Sequence, residues 1–138
     1  MINGSVILEL QRATHLTLHA LALQLGKLDL SPSEINALAN LADGHSRTVS
    51  ALGAAAGTRP ATLTGILDRL ERRGLVTRGT KPHDRRAVLI ELTPAGRRSA
   101  RIITTAIDDL ERRALDALPA NAIHGAQAVL RALTEAGS

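Results

Sequence analysis

The sequence predicts a mainly α (α+β) fold in which one short hairpin interrupts a run of helices. Three observations carry this. Apolar residues recur at helical spacing in six separate stretches, only the segment from 75 to 92 changes to short strand-like runs, and Pro or Gly punctuates most of the junctions. A chain of 138 residues with 44% hydrophobic residues is one domain able to bury a core. It contains no Phe, Tyr or Trp, so Leu, Ile, Val and Ala must fill that core. Smaller side chains make self-contained packing harder, and burial against a second subunit is expected to help.

The first helix is expected over Ser5 to Leu25, with Ile7, Leu8, Leu16, Leu18, Leu21, Leu23 and Leu25 distributed on more than one side. A helix apolar around much of its girth is buried between layers, deep in one domain or shared by two subunits. His15 and His19, four residues apart, make at most half a metal site. No third ligand accompanies them, and partly exposed or pocket-lining histidines are the simpler account. Ser31-Pro32-Ser33-Glu34 is a capping box with proline at the first helical position. The helix it opens should carry Ile35, Leu38, Ala39 and Leu41 inward and end at Asp43-Gly44-His45. Thr48 should cap a short helix from Val49 to about Ala56, with Val49, Leu52 and Ala55 or Ala56 on its core side and Ala54 to Ala56 suited to a close helix crossing.

Gly57 then turns the chain into its most informative stretch, Thr58 to Arg86. Leu63, Ile66, Leu67 and Leu70 form one apolar stripe, while Thr62, Thr64, Arg69, Arg72 and Arg73 lie mostly off it. Thr58 is placed to cap this helix, Pro60 sits in its first turn, and Gly74 stops it. Leu75 to Arg78 and Ala87 to Leu92 then read as strands flanking a polar, basic tip, Gly79 to Arg86, which makes a wing-like hairpin. Thr93-Pro94 opens a helix expected to run past Asp109 to Ala117, with Ile102, Ile103, Ala106, Ile107 and Leu110 on its apolar side. Pro119 stops it, and a last helix is expected from about Ala120 to Ala136. The first and the last two helices have little to pack on alone, so a helical dimerisation layer presenting the basic unit twice about a two-fold axis is expected.

Charge is localised. Thr58 to Arg86 holds eight of the chain's 17 Lys and Arg but three of its 13 Asp and Glu, a net of +5 in a chain whose total is +4. A basic helix followed by a basic hairpin suits a polyanion, the helix in a major groove and arginine at the tip reaching a minor groove or phosphates. Without aromatic residues to stack unpaired bases, duplex DNA is the better target. Zero cysteines exclude disulfides, thiolate zinc sites and thiol-based redox sensing. No apolar run of 18 residues and no signal-peptide pattern is found, so a cytoplasmic protein is expected.

The run GTRPATLTGILDRLERRGLV, followed by DRRAVLIELTPAGRR, resembles the winged helix-turn-helix of the MarR family of bacterial transcriptional regulators. The shared features include an Asp-x-Arg wing signature at Asp84-Arg85-Arg86 and the Leu-Thr-Pro-x-Gly exit at Leu92 to Gly96. The resemblance implies a single MarR-type domain over 1–138, with a winged helix-turn-helix at 30–98 and helical dimerisation regions at 1–29 and 99–138. It implies a ligand-responsive repressor, acting as a homodimer on a pseudo-palindromic operator, with double-stranded DNA and a small-molecule effector as partners; no cofactor is expected, and a metal-responsive regulator using His15 and His19 is a minor variant of this reading. Expected DNA contacts are Thr58, Arg59, Pro60, Thr62, Thr64, Gly65, Arg69, Arg72, Arg78, Lys81, Arg85 and Arg86. One of Arg85 and Arg86 is expected to grip DNA while the other pairs with Asp68 or Asp84 to hold the wing. Gly65 departs from the larger residue that many relatives carry mid-helix. A winged-helix module for protein contacts, with a merely solvated basic face, is the rival reading. An enzyme is disfavoured, because no Gly-rich phosphate loop, Ser-His-Asp arrangement or HExxH occurs.

Overall fold

The computed structural model describes residues 4–81 and 84–138, with the side chains of 81–87 left aside. Six helices are found among them, α1 (Val6–Gln24), α2 (Pro32–Ala39), α3 (Val49–Ala56), α4 (Pro60–Arg72), α5 (Pro94–Leu115) and α6 (Ala120–Ala136), with three strands, β1 (Arg47–Thr48), β2 (Val76–Lys81) and β3 (Asp84–Leu92). The strands form one antiparallel sheet in the order β1-β3-β2, in which Val76 pairs with Leu92 and Arg47 with Ile90. By compactness the chain divides into Met1–Ala106 and Ile107–Ser138, the boundary falling within α5.

The capping box at Ser31 is present in both directions, with the Glu34 backbone N–H donating to Ser31 Oγ at 3.2 Å and the Ser31 N–H to Glu34 Oε1 at 2.9 Å. Thr48 caps α3 by accepting from the Ala51 N–H at 3.1 Å. The first unit's core gathers Ile35, Leu38 and Leu41 from the α2 region, Leu52 from α3, the α4 stripe, Val76 and Ile90 from the sheet, and Ala100, Ile103 and Ala106 from α5. All four residues of the stripe, Leu63, Ile66, Leu67 and Leu70, are buried.

Several expectations need correction. α2 ends at Ala39 rather than at Asp43 to His45, and Ala37, not Ala39, is its fully buried alanine. In α3 the residue at the close helix crossing is Gly53, where an added Cβ would lie 2.8 Å from the Thr58 carbonyl oxygen, while Ala54 and Ala55 are exposed. The strands are longer than read, and the short β1 is additional. α1 has the expected span but buries only Leu21, leaving Leu16 and Leu23 on the surface of the single chain. α5 stops at Leu115, and α6 buries none of its residues.

A candidate DNA-binding surface on the fourth helix and the hairpin

Pro60 decides how α4 begins. The residue before a proline is pushed out of the α region, so Arg59, at φ −67 and ψ 145, becomes the N-cap in place of the expected Thr58. Arg59 makes no side-chain cap, and the Thr58 hydroxyl turns back to the Ala56 carbonyl at 3.5 Å. Leu63 is the first residue whose N–H bonds back within the helix, to the Arg59 carbonyl. The Ala61 and Thr62 N–H groups are therefore left at the positive end of the helix dipole, where a phosphate oxygen is a fitting acceptor.

With the apolar stripe turned inward, Thr62, Thr64, Arg69 and Arg72 are exposed on α4 and Gly65 is partly exposed among them. Thr64 donates its hydroxyl to the Pro60 carbonyl at 2.9 Å, which leaves its oxygen lone pairs available as acceptors. Arg72 Nε lies 3.3 Å from the Asp68 carbonyl. Among the described residues Arg59 and Arg69 enter no ion pair. A Cβ built on Gly65 would meet only Arg69 Nη1, at 3.8 Å, so the backbone there is open to close approach.

The far end of α4 closes in a Schellman turn. Gly74, at φ 71, donates to the Glu71 carbonyl and Leu75 to the Leu70 carbonyl, and β2 starts directly afterwards. Arg78, expected among the DNA contacts, instead has its guanidinium engaged with Asp68 and Glu71 of α4, Glu71 Oε1 lying 3.3 Å away. The hydrogen bond from Arg78 is the main cause holding the Asp68 carboxyl below its usual range, with partial burial opposing it. Asp68, expected to steady the wing through Arg85 or Arg86, is thus brought to Arg78. The side chains of Lys81, Asp84, Arg85 and Arg86 lie outside the described residues. The backbone does place Arg85 and Arg86 on β3 rather than in a long loop, with Lys81 paired to Asp84 across the strands.

His15 and His19 stack on α1 with ring centroids 6.3 Å apart, both exposed. No group of three metal-capable side chains exists among the described residues. No described helix is long and apolar enough to cross a membrane. Sequence reading missed Arg73, whose partners lie more than forty residues away; only its place at the end of the basic helix marked it.

This geometry, a buried-stripe helix with a polar outer face leading into an antiparallel hairpin, defines a winged helix-turn-helix. Comparison with known proteins agrees. The model of the MarR family matches residues 28–87. A Bacillus subtilis protein, the uncharacterized HTH-type transcriptional regulator YfiV, is 37% identical over 67 residues, which span 49% of this chain and 42% of that relative. Across nearly the whole chain the fold matches the crystal structure of CouR from Rhodococcus jostii RHA1 bound to p-coumaroyl-CoA, at 25% identity, with 95% of this chain and 92% of that one covered and a TM-score of 0.85. It also matches the Staphylococcus aureus MepR–DNA complex at 19% identity, with 99% and 100% covered and a TM-score of 0.81, a likeness of fold alone. Residues 28–87 are thus similar to the MarR family, and the chain spans less than half the length of the curated relative it matches. That family and these neighbours are transcriptional regulators rather than enzymes.

Proposed function

We propose that this protein is a cytoplasmic, homodimeric repressor that binds a pseudo-palindromic operator in double-stranded DNA and is released by a small molecule. The observation that carries the reading is the division of α4. Its apolar side is buried to 2% exposure or less, while its outer side combines hydroxyls, free-standing arginine and an uncapped N-terminus. Thr62, Thr64, Gly65 and Arg69 would meet base edges and sugar in a major groove. Arg59 and the helix N-terminus would hold phosphate, and Lys81, Arg85 and Arg86 of the hairpin would reach the flanking backbone or minor groove. Arg78 acts within this scheme by fastening the hairpin to α4 rather than by touching DNA.

Two further facts support the dimer and the effector. Val6, Ile7, Leu8, Leu16 and Leu23 of α1, and Val129 and Leu130 of α6, are between 43% and 74% exposed on the single chain, which is much apolar surface to leave in water. CouR, similar over nearly its whole length, was crystallised with an aromatic acyl-CoA, so small aromatic acids and their thioesters form the first effector set to screen. The test is a gel shift with genomic duplex fragments at moderate salt, repeated with each candidate. Retarded fragments that an aromatic acid or thioester frees support the proposal. A protein that retards no fragment favours instead a winged-helix module used for protein contacts.

A further inference from the structure

Resting on the reading of α4 as the DNA-contacting helix, we infer that Arg73 is a positioning residue that fixes the tilt of α4 and thereby the half-site spacing the dimer accepts. Arg73 is the C-cap of α4, and its two terminal nitrogens donate to successive carbonyls far away in sequence, Nη2 to Leu28 at 2.8 Å and Nη1 to Asp29. These carbonyls sit where a 3-10 turn, Gly26–Leu28, leads out of α1. Asp29 holds φ 51 and ψ 51, the only left-handed non-glycine conformation among the described residues. A planar guanidinium spans two neighbouring carbonyls; an ammonium is a point charge without that fork.

The next two residues tie the same end of α4 to α5. The Gly74 carbonyl accepts from Thr93 Oγ1 at 2.6 Å, and the Leu75 carbonyl accepts from the Thr93 N–H at 3.1 Å. Three consecutive residues thus join α4 to the start of α5 and to the exit of α1, whose exposed apolar residues are among those proposed to meet the second copy. At its other end α4 is uncapped. A helix of 13 residues is about 20 Å long, so a tilt of about 10° about the joint moves its N-terminus by about 3.4 Å, the rise of one base pair. The joint therefore sits where a small loosening blurs spacing by one step of the duplex.

The test compares the parent with Arg73→Ala and Arg73→Lys, all three checked for unchanged helicity and cooperative melting. The duplex is the fragment best bound by the parent, together with versions whose centre is lengthened or shortened by one base pair. The parent should lose about tenfold or more in affinity for either altered spacing, since each step also rotates a half-site by about a tenth of a turn. Both variants should lose about threefold or less, with Arg73→Lys keeping the parent's salt slope. Variants that retain the parent's spacing penalty would overturn the inference. So would an Arg73→Ala variant weakened equally on every duplex, with a salt slope lower by about one and Arg73→Lys restoring it, which would make Arg73 a phosphate contact. Amide exchange on the DNA-free protein separates the joint from the DNA reading. Arg73→Ala should speed exchange at both Gly26–Leu30 and Gly74–Val76, and unchanged exchange would overturn the joint even if α4 binds DNA.

Discussion

Arg78 on β2 donates to Asp68 on α4 and also reaches Glu71, so the base of the hairpin and the outer face of α4 are joined by two ion pairs. The Asp68 side chain is 49% exposed, which lets solvent screen the pair and keeps its contribution to stability small. Its carboxyl is held below the ordinary aspartate value chiefly by that hydrogen bond. A carboxyl lowered on folding stabilises the fold above its unfolded pKa, and that contribution disappears as pH falls through the folded value. The parent should therefore melt above Asp68→Asn near neutrality, with the gap closing through the acid range below the usual aspartate pKa. Melting curves from about pH 7 to about pH 3 check this. A gap that stays constant with pH would deny the pair its role.

Gly96 is required by space alone. A Cβ there would lie 1.9 Å from the Leu75 carbonyl oxygen and 3.2 Å from Leu92 Cδ2, and backbone cannot yield as a flexible side chain does. Gly96→Ala should cost about 1–3 kcal/mol or more, because α5 must shift away from the end of α4. Denaturant unfolding checks it, and a variant as stable as the parent would contradict the contact.

Gly65 should behave in the opposite way for stability. It lies inside α4 with room for a methyl group, so Gly65→Ala should gain about 0.8–1 kcal/mol from helix propensity. If DNA approaches closely there, the same variant should bind the preferred duplex more weakly while melting higher. Paired melting and binding measurements separate the two effects.

Under the proposed dimer, self-association is expected from the exposed apolar residues of α1 and α6. Sedimentation at micromolar concentration should give about twice the 14.5 kDa chain mass. Replacing Leu16 and Leu23 by Gln should shift the population toward monomer while the winged unit's core, built on Leu63, Leu67 and Ile90, stays folded.

The helices were legible in the sequence where a stripe and a cap coincided, as at Ser31-Pro32 and at Leu63 to Leu70. Thr58 was misplaced as a cap because the steric demand of Pro60 on its predecessor outweighs the capping preference of a threonine one residue earlier. β1 escaped notice because two residues carry no periodicity, and their strand character exists only by pairing with Leu89 and Ile90. The ion pair of Arg78 was hidden for a related reason. Which carboxylate a basic residue meets depends on how the Gly74 turn folds β2 back along α4, and spacing along the chain does not encode that. Charge localisation and the α4 stripe, by contrast, are linear properties, so the candidate surface could be outlined from residues alone.

The most direct measurement is a salt titration of binding to the best genomic duplex and to random duplex, for the parent and for Thr62→Ala, Thr64→Ala, Arg85→Ala and Arg86→Ala. The parent should prefer its duplex by about a thousandfold or more. At least one wing-arginine variant should weaken on both duplexes and lose about one unit of salt slope. At least one threonine variant should cost about 1–3 kcal/mol on the preferred duplex alone. A parent without preference for any duplex, or four variants that bind both duplexes as the parent does, would contradict the account.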